Sequence, residues 1–125
     1  MNSKRKYIEV NKMLGKRYKV IMIDFGWCLY KDFGNGYDVE VNIDGTIKNV
    51  KEIQIFLWGK NPFYNIKTYY CDKIDDINSI VDKLYEDTKK YSKPITNKEL
   101  EYERKDALTQ QHEFYKKKYP GIVFM

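Results

Sequence analysis

A single histidine, His112, and two cysteines, Cys28 and Cys71, are all that this 125-residue chain offers toward imidazole and thiol chemistry. One histidine excludes a histidine pair, a multi-histidine metal centre and any catalytic scheme that needs two imidazoles. The cysteines stand 43 positions apart and outside any CxxC pair, which gives no zinc-binding spacing; reduced thiols are the expectation. Long apolar runs are missing too. Nothing approaches the roughly 18–20 residues of a membrane span, and the N-terminus lacks the apolar centre of a secretory signal. The expectation is a cytoplasmic protein of a bacterial host cell, with no membrane partner. Alanine is nearly absent, with Ala107 alone, and arginine is scarce at three against twenty lysines. With 13 isoleucines, 12 tyrosines and 9 asparagines, this usage follows AT-rich codons and points to a low-GC bacterium or its phage. Codon bias also accounts for the mixture of lysine and tyrosine that would otherwise argue for nucleic-acid binding. Only the placement of charge is left as a signal.

That placement is uneven. Residues 1–19 hold Lys4, Arg5, Lys6, Lys12, Lys16, Arg17 and Lys19 against one acid, Glu9, a local charge of +6. The whole chain carries +5, so the other 106 residues sum to −1. A local cationic element attracts polyanions in a way that scattered lysines do not. Lys116, Lys117 and Lys118 extend the patch if the two ends of the chain meet in space. These ten residues are the candidate contacts to a partner or to nucleic acid. No catalytic residue, metal ligand or cofactor is assigned.

The length and the 42% hydrophobic content fit a single domain over residues 1–125 with its own core. Tyr7, Val10 and Leu14 fall at helical spacing between a cap at Asn2 or Ser3 and a stop at Gly15, which predicts a basic helix over residues 1–15. Residues 17–70 read as antiparallel sheet. Tyr18 to Trp27 is apolar on both pleat faces, as in a central covered strand, and Tyr37 to Ile43 alternates so that Asp38, Glu40 and Asn42 form a wet face. Asp44-Gly45 suits a hairpin loop before a strand within Thr46 to Trp58. Gly59 to Pro62 then reads as a turn and Tyr64 to Tyr70 as a fourth strand. From Ile74 the apolar stripe becomes helical, with Asp72 as its cap, and Thr96-Asn97-Lys98-Glu99 has the capping-box form that opens a last helix to about Lys118. These two helices occupy residues 72–119. The last has a thin apolar face, as expected of a helix that is partly solvated, protrudes or packs on another chain, so a homodimer is one expectation. The fold class is α+β: a curled antiparallel sheet of three to four strands with an N-terminal helix and two C-terminal helices on one face.

Chemistry is harder to find. Asp-Phe-Gly occurs at residues 24–26 and 32–34, but without the glycine-rich and catalytic loops of a kinase the two triplets read as strand-end turns. Asp38, Glu40 and Glu52, with Lys48 and Lys51 nearby, form the one carboxylate set that a metal-dependent nuclease would need, yet Gln54 stands where a Glu-x-Lys motif calls for lysine. Cys28, between Trp27 and Leu29, reads as a buried thiol, and His112 as a surface residue.

In small size, low-GC residue usage, lack of catalytic groups and local charge, the chain resembles in style the small inhibitors encoded by phages and other mobile elements, including anti-CRISPR proteins. No residue motif carries that resemblance. It implies a non-enzymatic binding protein that inhibits or modulates a host nucleic-acid-handling complex, a CRISPR effector being one case, through contacts to protein, RNA or DNA. The alternatives are a direct DNA- or RNA-binding regulator and the small metal-dependent nuclease.

Overall fold

The computed structural model describes residues 3–60 and 63–121. In chain order they form α1 (Ser3–Met13), β1 (Lys19–Ile23), β2 (Gly26–Asp32), β3 (Tyr37–Gly45), β4 (Val50–Lys60), β5 (Phe63–Cys71), a 3-10 turn (Ile74–Asp76), α2 (Ile77–Lys90) and α3 (Asn97–Lys118). The strands make one open antiparallel meander in the order β1-β2-β3-β4-β5. The α+β class is as the sequence predicts, with five strands in place of three to four. Asn2, offered as a cap, and Asn61-Pro62 of the expected turn lie outside the described residues; Gly59 and Lys60 belong to β4.

The extra strand comes from Tyr18 to Trp27, which is a hairpin and not a central strand. Asp24 and Phe25 both take positive φ, 51° and 67°, and reverse the chain between β1 and β2. Asp24 is a usual first residue of such a turn, but Phe25 stands where glycine is preferred. Phe25 stands at its tip, 99% exposed. β1 is therefore an edge strand.

The β3–β4 connection is also longer than a two-residue loop at Asp44-Gly45. β3 runs on to Gly45, whose pairing with Val50 is displaced by a bulge, and the reversal falls on Thr46–Asn49. Thr46 and Asn49 exchange backbone hydrogen bonds of 3.2 Å, and the Thr46 hydroxyl accepts from the Asn49 N–H at 3.0 Å. Val39 thereby faces Leu57, Val41 faces Ile55 and Ile43 faces Ile53. These pairs are fully or almost fully buried and meet Val10 of α1 and Ile77, Val81 and Leu84 of α2 in one core. Burying each such side chain contributes about 1.5–3 kcal/mol. Tyr7 ties α1 to the sheet, its hydroxyl accepting from the Ile43 N–H at 2.8 Å.

Asp72 does not cap α2: the 3-10 turn intervenes, and Asp76 occupies the N-cap position without a side-chain hydrogen bond. The capping box of α3 forms as expected, Thr96 accepting from the Glu99 N–H and Glu99 from the Thr96 N–H. Among the described residues of α3 only Ala107 is buried, and Tyr102 and Leu108 are largely exposed. Polar contacts to β5 replace the missing apolar ones. Gln110 accepts from the Tyr70 N–H at 2.8 Å and donates to the Tyr70 carbonyl at 2.6 Å, and Arg104 donates to the Asn65 carbonyl at 3.0 Å. Side chains of α3 so occupy backbone groups that an edge strand leaves unpaired. Replacing Gln110 with alanine is expected to raise the hydrogen-exchange rate of the Tyr70 amide while central β3 amides exchange as before; unchanged Tyr70 protection would refute the role.

Candidate functional site

The N-terminal cations divide into two groups. Lys6 is structural: its ammonium donates to the carbonyls of Ile43 at 2.8 Å and Gly45 at 3.1 Å, and burial lowers its pKa despite the pull of Asp44. Arg17 is structural as well. It pairs with Asp82 of α2, and that hydrogen bond raises its pKa. Nearby, the Asn11 side chain bonds both backbone groups of Tyr18, and the Tyr18 hydroxyl donates to Asn78 at 2.8 Å. The turn from α1 into β1 is therefore rigidly tied.

Lys4, Arg5, Lys12, Lys16 and Lys19 are the exposed group, spread along α1, the turn after it and the first residue of β1. Lys4 lies over the Trp27 ring at 4.9 Å, and Lys12 makes a surface pair with Glu9 at 3.5 Å. Met22, more than half exposed, and the outermost strand of the sheet complete this flank; Met13, also exposed, turns instead toward the β3–β4 turn and Asp72–Asp75. The flank is cationic, with an apolar point beside the charges.

The C-terminal lysines sit elsewhere. α1 packs on β1 and β2, α3 on β5, so the two basic segments flank the β3–β4 turn from different sides. Lys116 and Lys117 are exposed; Lys118 lies over the Phe114 ring at 5.4 Å and 4.0 Å from Asp72. With Tyr119 it borders a shallow hollow shared with Asp44, Lys51 and Glu52.

The carboxylates expected for a nuclease do not converge. Asp38 pairs across the sheet with Trp58, Glu40 with Phe56, and Glu52 with Asp44. Asp38 and Asp44 are six residues apart on one strand, about 20 Å at strand rise. Nor is Asp38 on a wet face: it is 1% exposed. Both cysteines are buried, which pushes each thiol up to about 12, far from the range of a nucleophile.

The most densely charged cluster was not visible in the sequence. Lys67, 3% exposed on β5, donates to Asp87 of α2 at 2.8 Å, pairs with Glu103 of α3 and lies 4.0 Å from Asp106. Lys83 adds a 3.0 Å bond to Asp87, the Tyr69 hydroxyl donates to Asp106 at 2.5 Å, and the Tyr91 hydroxyl donates to Glu103 at 2.9 Å. Burial alone would lower the Lys67 pKa, but its hydrogen bonds to Asp87 and Glu103 outweigh burial and raise it. An ammonium held this way is no nucleophile or Schiff-base lysine. It joins three elements. A shift in the β4–β5 register beside Leu57 leaves Ile66 and Lys67 buried in succession, which a strict alternation does not anticipate.

No helix among the described residues is long and apolar enough to cross a membrane. No protein-family model, curated protein or solved structure matches this chain.

Proposed function

We propose that this chain is a small binding protein that docks its α1–β1 flank on an anionic surface of a host nucleic-acid-handling complex and thereby inhibits or modulates it. The observation that supports this reading is the division of labour among the N-terminal cations. Lys6 and Arg17 are spent on the fold, while Lys4, Arg5, Lys12, Lys16 and Lys19 remain exposed together on one flank of an otherwise nearly neutral body. Cations with the exposed Met22 beside them suit a surface of mixed phosphate and protein better than a bare duplex groove. A CRISPR effector, whose guide and target run through a cationic channel, is one complex of this kind.

Pull-down from host lysate, with and without nuclease treatment, is the direct test, paired with salt titrations on purified duplex DNA and single-stranded RNA. Each phosphate contact on duplex DNA adds about 0.9 to the slope of log K against log salt. Replacing Lys4, Arg5, Lys16 and Lys19 together with alanine is expected to flatten that slope by about 3–4 on a nucleoprotein target while the melting temperature holds. Capture that survives the fourfold substitution would sink the proposal. Salt-sensitive binding to bare duplex, lost in the same variant, would favour a direct nucleic-acid-binding regulator instead.

A further inference from the structure

The sheet face turned away from α1 and α2 holds an arrangement that the basic flank does not use. The strand register sets Tyr30, Glu40 and Phe56 in one cross-strand row, with Asp38 and Trp58 side by side two residues along. The two-residue period of a strand places all five on the same face. Trp58 lies 6.2 Å from the Phe56 ring and 5.5 Å from that of Phe63, which is 67% exposed. Beneath these rings Asp38 accepts one hydrogen bond, from the Tyr30 hydroxyl to Oδ2 at 2.7 Å. Its Oδ1 is buried and accepts none from the described residues. Buried carboxylate oxygens are seldom left without a donor, because the lost hydration is not replaced. The neighbouring cation, Lys60, is held by Asp32 at 2.5 Å. Burial pushes the carboxyl groups of both Asp38 and Glu40 up, and the charges of Asp24 and Asp38 add to the effect at Glu40. Glu40 accepts from the Asn42 amide at 3.2 Å, and the indole N–H of Trp58, across from Asp38, is likewise buried without a partner among the described residues. The corner is short of positive charge and holds an unpaired donor beside an unpaired acceptor.

We propose that it is a binding site for an organic cation, an alkylammonium or guanidinium group held by the Asp38 and Glu40 carboxylates against the rings of Tyr30, Phe56 and Trp58. The N–H groups of such a cation supply the donor that Asp38 Oδ1 lacks, and its charge lies on aromatic faces. A bare metal ion fits less well, since the rings offer it no oxygen ligands. The site is opposite in charge to the α1–β1 flank and independent of it. Its natural occupant is either a free amine or a lysine or arginine side chain of the partner.

The indole N–H resonance of Trp58, identified by its absence in Trp58→Phe, reports on the site directly. Titration with n-butylamine hydrochloride and with N-acetyl-arginine amide, against sodium chloride at equal ionic strength, is expected to shift it saturably; the tighter ligand distinguishes an alkylammonium from a guanidinium occupant. Asp38→Asn and Glu40→Gln each preserve shape and are expected to weaken binding about tenfold. If Asp38→Asn fails to fold, Glu40→Gln decides. A resonance that moves no more than in sodium chloride, or that titrates unchanged in the two variants, would overturn the assignment.

Discussion

Lys67→Ala is expected to cost about 3–5 kcal/mol of stability, the range seen when one partner of a buried ion pair is removed. The loss of a methylene stem is the smaller part. Without the ammonium, Asp87 keeps only Lys83, and Glu103 keeps only the Tyr91 hydroxyl, among the hydrogen bonds described for these carboxylates. Both are largely buried between β5, α2 and α3, so their mutual repulsion falls where the fold joins its last two helices to the sheet. If uncompensated charge is the cause, Lys67→Met combined with Asp87→Asn and Glu103→Gln should recover most of the loss. A simple cavity would leave that triple variant as unstable as the alanine. Chemical denaturation of the three proteins separates the two accounts.

The pH dependence follows from the same cluster, with its sign fixed by Asp87. Burial raises the pKa of this carboxyl, but the hydrogen bonds from Lys67 and Lys83 prevail and hold it below the ordinary range. A group whose folded pKa is depressed contributes its full stability above its unfolded value, near 3.9, and loses that contribution as the pH falls through the folded value. Lys67 acts at the other end. Its pKa is raised, so its contribution is complete below the unfolded lysine value of about 10.4 and is lost only as the pH climbs beyond it. The gap in stability between the parent protein and Lys67→Ala should therefore be widest near neutrality and narrow below about pH 4. A gap that stays constant well below that pH would mean that Asp87 is not the group left uncompensated by the substitution.

Neither Lys67 nor its partners stood out in the sequence, and the reason is physical. Lys67 sits in a stretch, Asn65-Ile66-Lys67-Thr68, where alternation assigns lysine and isoleucine to opposite faces, and only the bulge at Leu57 buries both. Its carboxylates lie 20, 36 and 39 positions away, on helices whose polar faces look solvated when each is read alone. Elements with strong local signals fared better. Tyr7, Val10 and Leu14 are all buried as their spacing predicts, and Thr96 with Glu99 closes the capping box. Asp38 shows the limit of pattern reading. Its place between apolar neighbours marks a solvent-facing position, and the side chains of Tyr30 and Trp58 beside it turn that position into an interior one. The basic segment was legible as charge but not as role: nothing in residues 1–19 separates Lys6 and Arg17, which brace the fold, from the five exposed cations, because their acceptors, Ile43, Gly45 and Asp82, lie far along the chain.

Gly45→Ala is the second substitution of large effect, expected to lower stability by roughly 3 kcal/mol or more and the melting temperature by about 10 °C. Two costs add at this position. The backbone holds φ at +97°, a conformation that L side chains rarely adopt, and a β-carbon placed there would stand 2.3 Å from the Asn49 carbonyl oxygen and 2.8 Å from the Lys51 nitrogen. Both neighbours are backbone atoms of the turn into β4, so neither can swing aside as a side chain would. Relief requires moving the β3–β4 turn, where Lys6 binds the Gly45 carbonyl, and β3 with β4 forms the centre of the sheet. Gly34 isolates the first cost, since its φ is +77° and a β-carbon there meets nothing within 4 Å. Gly34→Ala should accordingly cost only about 1–2 kcal/mol. Thermal melts of the two variants decide the matter: equal losses would mean that backbone conformation alone is at stake, while a markedly larger loss at Gly45 identifies the close approach of the turn backbone as the reason this position is glycine.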